Sequence, residues 1–335
     1  MPPKSPRSFT ENTLIRQLQQ RYCSRTPRLR KGIGDDAAVV EPVKGGEYWL
    51  VTTDMLLENV DFRRQWITPH LLGRKSISVN LSDLAAMGAR PRFYTVSLAI
   101  PDATTLAWIH RFYDGLADAS QGAVLIGGDL SRSGDGIAVS IAAFGESLNR
   151  KVVYRSGGRA GDALYVTGVL GKSAAGLALL RNGNRIPGAR SRREAVSAHL
   201  DPEARCETGL WLAQSGLANC MIDLSDGLSM DLPRICNASG VGAIIRAADL
   251  PVFAQSASWG GDPVDLALHG GEDYELLFSV PESKTELFQL SYPAKFPAVT
   301  RIGELTPETG KIWLIGQDMK RRRLPEAGFD HFKQT

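Results

Sequence analysis

Aspartate recurs in this chain beside glycine, serine or threonine, at the ends of short apolar runs. Aspartate is a poor residue for strands and helix interiors, so we do not expect these positions to lie in the hydrophobic core. Any one of them could be a helix cap or a turn residue. Together they predict a cluster of carboxylates, which repel one another unless cations lie among them. Such oxygens suit Mg²⁺, which is usually held by a few carboxylates together with substrate phosphates. The carboxylates in question are Asp35, Asp36, Asp54, Asp83, Asp129, Asp223 and Asp226.

Two of these segments also carry other polar groups. Thr52-Thr53-Asp54 ends a β-rich run and offers hydroxyl and carboxylate oxygens. Asn80 and Asp83 are three residues apart on a predicted helix, so we expect them on one face. Lys75 on the same helix could contact phosphate, although a solvated surface lysine is the commoner case.

Glycines accompany the acids in three places. Leu125 to Asp129 reads as a strand that runs into a glycine pair, where backbone N–H groups could approach phosphate oxygens. In Asp223-Leu224-Ser225-Asp226-Gly227, the acids precede a predicted helix whose N-terminus favours anions. The segment 269–275 places three acids beside two glycines. We interpret His269 there as a turn residue.

Several catalytic motifs are absent from the sequence. There is no G-x-x-x-x-G-K-[ST] loop, no G-x-S-x-G elbow and no H-R-D catalytic loop. Many acids, several glycine loops and no evident nucleophile favour phosphoryl transfer. In that chemistry the protein mainly positions the reactants and supplies charge through metals.

Composition excludes some classes of protein. The net charge of +3 does not indicate a nucleic-acid partner, and no apolar run reaches the roughly 18 residues of a membrane span. Four cysteines (Cys23, Cys206, Cys220 and Cys236) lie far apart without a C-x-x-C motif. We interpret them as free thiols, which predicts a reducing, cytoplasmic location.

The length and the order of elements predict the architecture. A chain of 335 residues is long enough to form two domains. Strands alternating with helices predict an α/β or α+β fold, and consecutive strands near 123–144 predict mixed sheets with flanking helices. A polar, glycine-rich junction at 156–162 leads us to expect domains at 1–150 and 151–335. Predicted helices include 71–87, 104–119, 173–181, 203–215 and 230–238, and predicted strands include 48–52, 93–100, 123–126, 163–167, 220–223 and 275–280.

The ordered motifs GIGDDAAVV, TTDMLLENVDF, NLSDLAAMGARP, LIGGDLSRS, DLSDGLSMDL and HGGEDYELLF resemble those of thiamine-monophosphate kinases. That family belongs to an ATP-binding superfamily with aminoimidazole ribonucleotide synthetase and selenophosphate synthetase. The resemblance spans about residues 9–332. It implies Mg²⁺-dependent transfer of the ATP γ-phosphate to thiamine monophosphate, giving thiamine diphosphate and ADP. It also implies an aminoimidazole ribonucleotide synthetase-like fold, with ATP between two α/β domains and the N-terminal sheets of two subunits paired into a barrel-like homodimer core.

The resemblance also implies roles for individual residues. Several Mg²⁺ ions would be held by Asp36, Thr52, Thr53, Asp54, Asp83, Asp129, Asp223 and Asp226. Of these, Asp36, Asp129, Asp223 and Asp226 would be catalytic. ATP would contact Tyr113, Gly128, Asp129, Arg155 and Ser225. Thiamine monophosphate would contact Asp61, Glu272 and Phe329.

One position departs from the family pattern. The family usually has V-H-F after its T-T-D motif, and here the element is Val60-Asp61-Phe62. Asp61 cannot donate as histidine does, but it could face the thiazolium cation or bind another cation.

Three alternatives to a kinase remain open at the level of sequence. Another ATP-dependent synthetase of the superfamily is one, although Cys23 lies in no glycine-rich loop of the selenophosphate synthetase kind. A non-catalytic nucleotide sensor is the second, and it would be favoured by loss of motif acids. The third is a Mg²⁺-dependent phosphohydrolase, which would act without ATP.

Overall fold

The first and second halves of the chain form two separate mixed sheets in the computed structural model, which describes residues 11–22, 26–182 and 189–329. The helices are α1 Glu11–Tyr22, α2 Pro69–Ala86, α3 Leu106–Ala119, α4 Lys172–Arg181, α5 Arg190–Leu200, α6 Cys206–Ser215, α7 Leu228–Ser239, α8 Pro263–His269 and α9 Thr285–Ser291. The strands are β1 Leu29–Lys31, β2 Ala38–Val40, β3 Trp49–Leu57, β4 Arg90–Ile100, β5 Val124–Arg132, β6 Ala138–Glu146, β7 Ala163–Thr167, β8 Cys220–Asp223, β9 Gly242–Arg246, β10 Leu276–Val280, β11 Val299–Thr306, β12 Ile312–Ile315 and β13 Arg321–Arg323.

Each sheet combines antiparallel pairs with one parallel pair, as the strand order in the sequence predicts. The first sheet has the order β1-β2-β3-β6-β4-β5, with β4 and β5 parallel. The second has the order β13-β12-β9-β11-β7-β10-β8, with β9 and β12 parallel. Both sheets are open within one chain. The barrel implied by the resemblance would therefore need a second chain.

Helix α2 packs against elements from both halves of the chain. It contacts α3, β3 and β6 on one side and α6 and β8 on the other. Thr68 caps its N-terminus, because the Thr68 hydroxyl accepts from the Leu71 N–H, and Pro69 occupies the first turn. Most of its residues are buried, including polar ones. A helix buried all round is expected when it lies between two layers.

Two glycines allow α2 and α3 to cross closely. A Cβ on Gly115 would lie 1.9 Å from the His70 carbonyl oxygen, and one on Gly73 would lie 2.0 Å from the Phe112 carbonyl oxygen. No side chain fits at such a distance, so the two backbones are in direct contact at this crossing.

One face of the first sheet is open. Along β3, Thr52 and Leu56 are buried under the helices, whereas Thr53, Met55 and Leu57 are exposed on the other face. The edge strand β5 is exposed along its whole length. Its apolar residues Val124, Leu125, Ile126 and Leu130 are among the exposed hydrophobic side chains of the chain.

Some sequence predictions need correction. The glycine pair 127–128 does not end a strand, because β5 continues through it to Arg132. Gly128 is needed there for packing, since a Cβ would lie 1.9 Å from the Val96 carbonyl oxygen of β4. Thr52–Asp54 lies in the middle of β3, not at its end. Helix α5 and strand β11 were not predicted.

Other predictions are confirmed. The strand predicted at 163–167 coincides with β7, and the helices predicted at 71–87 and 104–119 match α2 and α3 within about two residues. Cys206, Cys220 and Cys236 are free and buried, and Cys23 lies outside the described residues. No described helix is both long and apolar enough to cross a bilayer.

Replacing Gly115 with alanine tests the close helix crossing. Alanine usually favours a helix over glycine by about 1 kcal/mol. Here we expect Gly115→Ala to lower the free energy of unfolding by about 3 kcal/mol, because the methyl group overlaps the His70 carbonyl oxygen. Urea unfolding followed by circular dichroism measures the change. The control is Gly134→Ala, where an added Cβ meets nothing within 4 Å. Equal stability of the two variants would contradict the direct backbone contact between α2 and α3.

Candidate active site

Three carboxylates from distant parts of the chain meet at one point. Each of Asp36, Asp83 and Asp223 places an oxygen within 4.8 Å of the others. Asp36 lies in the loop after β1, Asp83 is on α2, and Asp223 ends β8. The cluster therefore joins the first sheet, the central helix and the second sheet.

Polar side chains hold these carboxylates in place. The Thr52 hydroxyl donates to Asp83 Oδ2 at 2.5 Å, and the Ser82 hydroxyl donates to Asp223 Oδ2 at 2.6 Å. Asn80 Oδ1 accepts from the Asp54 N–H at 2.9 Å. As their spacing predicts, Asn80 and Asp83 both face β3. Strand β3 is thereby fixed to α2 with Thr52 and Asp54 on the helix side.

Arg155 is the cation closest to the cluster in the contacts described. Its Nη2 donates to Asp36 Oδ1 at 2.6 Å, and its backbone N–H donates to Asp35 Oδ1 at 3.2 Å. Asp36 Oδ2 and Arg155 Nε are buried without a hydrogen-bond partner among the described residues. Each is therefore available to a ligand.

Burial and mutual repulsion raise the pKa values of the clustered acids. Burial, followed by the charge of Asp226, raises the pKa of Asp54 to about 6. Burial, followed by the charge of Asp36, raises the pKa of Asp223 to about 7. The pKa of Asp83 is raised well above its usual value by burial and by Asp54. Gathering these acids is therefore unfavourable unless a cation or protons offset the charge.

The donor set of the cluster fits Mg²⁺. All the groups that converge are oxygens, the ligand type that this ion takes. The buried Asp36 Oδ2 lacks a hydrogen-bond partner among the described residues, as expected for an oxygen that binds a cation. The raised pKa values point the same way, because a divalent cation would relieve the repulsion among Asp54, Asp83 and Asp223.

A network at the start of α7 fixes the loop 223–227. Asp231 Oδ2 accepts from the N–H groups of Asp226 and Gly227, both at 3.1 Å. Arg234 donates to Asp231 Oδ1 at 2.6 Å and to Asp226 Oδ2 at 2.5 Å. Asp231 and Arg234 were not among the residues predicted from the sequence. Their signal was an acid in the first helical turn followed by arginine three residues later.

The acids of segment 269–275 do not join the carboxylate cluster of Asp36, Asp83 and Asp223. Glu272 pairs with Lys75 and His199, and the Asp273 carboxylate accepts from N–H groups at the start of α4. Glu275 pairs with Arg205 at 2.6 Å. His269 is the last residue of helix α8, not the turn residue that we expected, and its Nδ1 lies 2.8 Å from the Ser229 hydroxyl.

Lys75 is not the surface lysine that we expected. Its side chain is 1% exposed, and its ammonium lies 2.9 Å from Glu272 Oε1. The sequence gives no sign of this burial, because the partner is nearly 200 residues away.

Three further residues predicted to contact ligands lie near the cluster. Asp61 Oδ2 accepts from the Leu57 N–H at 2.7 Å, and the charge of Asp61 contributes to the raised pKa of Asp54. The Phe329 N–H donates to the Asp226 carbonyl at 3.2 Å, and its ring is exposed. Ser225 accepts through its carbonyl from the Glu272 N–H at 2.7 Å.

Asp129 lies apart from the cluster within one chain. It pairs in register with Ser97, which pairs with Ser140, which pairs with Met55. Asp129 therefore shares the open face of Met55, whereas Asp54 faces the helices. The two strands are three positions apart in the sheet, roughly 14 Å. Gly128 and Thr53 likewise lie outside the cluster, on β5 and on the open face of β3.

Tyr113 lies on α3, behind the first sheet. It is half-buried and packs edge-on against Phe112, with ring centroids 5.6 Å apart. No contact between Tyr113 and the acids of the cluster is present among the contacts described for this chain. Its suggested place beside adenine stays a prediction.

Comparisons with known proteins show the family to which the chain belongs. The family model for the AIR synthase related protein N-terminal domain matches residues 34–147, and that for the C-terminal domain matches residues 159–314. Thiamine-monophosphate kinase of Escherichia coli (strain K12) is 38% identical over 96% of this chain and 98% of its own length. The enzyme of the same name from Buchnera aphidicola (subsp. Acyrthosiphon pisum, strain APS) is 34% identical over 97% of this chain and 99% of its own length.

A solved structure extends the similarity to three dimensions. AaThiL, complexed with AMPPCP and TMP, superposes with a TM-score of 0.83 at 33% identity. The match covers 96% of this chain and 97% of that one.

The electrostatic cost of the cluster predicts how Asp223→Asn changes stability. The folded-state pKa of Asp223, about 7, lies above the unfolded value of 3.8. The unfolded chain therefore loses its proton first, and this residue's contribution to stability falls as pH rises from about 4 to 7. At pH 8 in chelator, we expect Asp223→Asn to raise the free energy of unfolding by roughly 1–3 kcal/mol, and near pH 4 to change it little.

Thermal unfolding at pH 8 and near pH 4 measures both changes in stability, and it is repeated with and without Mg²⁺. Added Mg²⁺ should raise the melting temperature of the unsubstituted chain more than that of Asp223→Asn, because the variant lacks a ligand. Asp265→Asn is the control, because the Asp265 side chain is 67% exposed on α8, away from the cluster. A destabilised Asp223→Asn at pH 8 would contradict the electrostatic account.

Proposed function

The chain belongs to the thiamine-monophosphate kinase family of AIR synthase related proteins, and we propose that it transfers the γ-phosphate of ATP to thiamine monophosphate, giving thiamine diphosphate and ADP. The observation that carries this proposal is the meeting of Asp36, Asp83 and Asp223 beside Arg155. The three aspartates come from the motifs that resemble those of the family. The transfer is direct, because the site offers charge and position but no evident nucleophile.

Mg²⁺ is the cofactor that we propose, held by Asp36, Asp54, Asp83, Asp223 and Asp226. When bound, it would supply positive charge that stabilises the transferring phosphoryl group. Thr52 supports this set by donating to Asp83. Arg155 is held by Asp36 and has a free buried Nε, so its planar guanidinium can contact ATP phosphate oxygens. Ser225 and Asp226 lie beside the start of α7, where a helix N-terminus favours anions.

The thiamine side is assigned to Glu272, Asp61 and Phe329. The first two offer carboxylates to a cationic thiazolium, and an exposed aromatic ring such as Phe329 can stack on it. Asp61 already accepts the Leu57 N–H, so it shapes the turn after β3 as well. Because the Phe329 backbone N–H donates to the Asp226 carbonyl, the proposed thiamine contacts adjoin the proposed phosphate site.

We also propose a homodimer built on the first sheet. An open apolar face and an edge strand exposed along its length are costly in a single chain and are expected where another sheet covers them. The same arrangement bears on the predicted nucleotide contacts of Gly128 and Asp129. Because Asp129 lies on the open side of the sheet, and both residues are on the edge strand β5, three positions from β3, a second copy would be needed to bring them to the acidic cluster.

We divide the chain into an N-terminal domain of residues 1–150 and a C-terminal domain of residues 151–335. The division is supported by the two sheets, since β6 ends at Glu146 and β7 begins at Ala163. It is also supported by the family models, of which one ends at residue 147 and the other begins at residue 159.

An assay with ATP, Mg²⁺ and thiamine monophosphate tests the activity directly. We expect thiamine diphosphate and ADP in equal amounts by chromatography. Asp54→Asn and Asp223→Asn should each lose at least 100-fold in kcat, on the order of 3 kcal/mol, while remaining folded. Asp265→Asn is the control, because Asp265 is an exposed residue of α8.

Other outcomes of the same assay would favour the alternatives. Release of phosphate from thiamine monophosphate without ATP would indicate a phosphohydrolase. Nucleotide binding without turnover would indicate a sensor. ATP consumption that makes ADP but no thiamine diphosphate would indicate another synthetase of the superfamily.

Sedimentation velocity tests the dimer. We expect a dimer at micromolar concentration and a monomer for Leu130→Lys, because this substitution places a charge on the exposed strand β5. Leu290→Lys is the matched control: Leu290 is 80% exposed on α9, outside the proposed interface, and this variant should remain dimeric. A monomeric parent protein, or equal effects of the two substitutions, would reject the interface.

A further inference from the structure

A buried ion network lies behind Glu272, outside the acidic cluster. Lys75 Nζ lies 2.9 Å from Glu272 Oε1, and His199 Nδ1 lies 2.9 Å from Glu272 Oε2. The Lys75 ammonium also donates to the His199 carbonyl at 3.1 Å. Each carboxylate oxygen of Glu272 therefore has its own partner, and the two partners are joined to each other.

Exposure distinguishes the three members. The side chains of Lys75 and His199 are 1% and 4% exposed, whereas that of Glu272 is 26% exposed. Only Glu272 can meet a ligand, and the other two stand behind it. We propose that Lys75 and His199 are positioning residues, which fix the Glu272 carboxylate toward the cationic ring of thiamine monophosphate; this inference rests on the proposed function.

The backbone around Glu272 supports a positioning role. Glu272 and Tyr274 have φ values of 63° and 50°, in the left-handed region that non-glycine residues rarely adopt. Such strain is retained where surrounding contacts enforce it. The Glu272 N–H donates to the Ser225 carbonyl at 2.7 Å, and the Tyr274 N–H donates to the Leu224 carbonyl at 2.9 Å. The loop of Glu272 is thus in register with the loop that carries Asp223 and Asp226.

The charges of the network keep Glu272 ionised. Burial by itself would raise the pKa of Glu272, but Lys75 and His199 outweigh it and lower the pKa to about 2. The group that faces the ligand is therefore a carboxylate at any physiological pH. The Ser173 hydroxyl lies 3.1 Å from His199 Nδ1, the same nitrogen that contacts Glu272.

Anchoring the loop does not by itself require this network. Glu275, three residues further on, already binds Arg205 through both carboxylate oxygens, at 2.6 and 2.9 Å. The Glu275 side chain is 6% exposed, so that pair faces the interior. Of these two ion-paired acids, Glu272 is the one presented to ligands, and a buried ion pair is weak evidence for a purely stabilising role.

Steady-state kinetics of Lys75→Met and Lys75→Arg test the proposal. Lys75→Met should raise KM for thiamine monophosphate at least tenfold while kcat and KM for ATP change less than twofold. Lys75→Arg keeps the positive charge and should recover part of the lost affinity. Arg74→Met is the matched control, because Arg74 is the neighbouring residue of α2 and pairs with Asp201 at the end of α5. This control should leave all three constants unchanged.

His199 provides an independent pair of variants if Lys75→Met does not fold, as its melting curve would show. His199→Gln keeps a donor for Glu272 and should retain a low KM for thiamine monophosphate, whereas His199→Leu should raise it. Folded variants with an unchanged KM, or a fall in kcat alone, would overturn the positioning role. A parent protein that makes no thiamine diphosphate would instead overturn the proposed function, which the parent assay decides separately.

Discussion

Helix α2 lies buried between two sheets that are built from different halves of the chain, and the site depends on this burial. The helix presents Asn80 and Asp83 to β3 and Ser82 to Asp223 at the end of β8. It also presents Lys75 to the loop before β10. Because a helix between two layers has no solvent-facing side, its polar residues must find partners within the protein. For Ser82, Asp83 and Lys75, those partners are Asp223, Thr52 and Glu272, which belong to the site.

The acidic cluster opposes the stability of this arrangement. Burial and repulsion raise the pKa values of Asp54, Asp83 and Asp223, so the metal-free protein carries an electrostatic cost at neutral pH. This repulsion is useful in a phosphotransferase, because the same negative carboxylates attract Mg²⁺ and the phosphates that accompany it. Among the neighbouring acids, Glu272 avoids this cost, because Lys75 and His199 outweigh burial and lower its pKa to about 2. Asp273 does not avoid it, because burial raises its pKa to about 7 although its carboxylate accepts from the Gly171 and Ser173 N–H groups.

Local patterns predicted most elements and the metal motifs. Strong apolar runs located β7 and β8, apolar residues at helical spacing located α2, and a threonine pair able to cap a helix located α3. The three-residue spacing of Asn80 and Asp83 placed both on one helix face, because that follows from helix geometry alone. Elements without such signals were missed. Helix α5, rich in arginine and polar residues, is one, and His199 was missed with it.

The sequence by itself determined the family, the mixed α/β architecture and the identity of the clustered acids, because those depend on local periodicity and on motifs that are contiguous. Only the tertiary structure decided which residues meet. It joined Lys75 to Glu272 and Arg155 to Asp36 across more than 100 positions, and it put Asp129 on the face of the sheet opposite to Asp54. Strand pairing and helix packing fix these relations. They arise from contacts between residues distant in the chain, which no local spacing encodes.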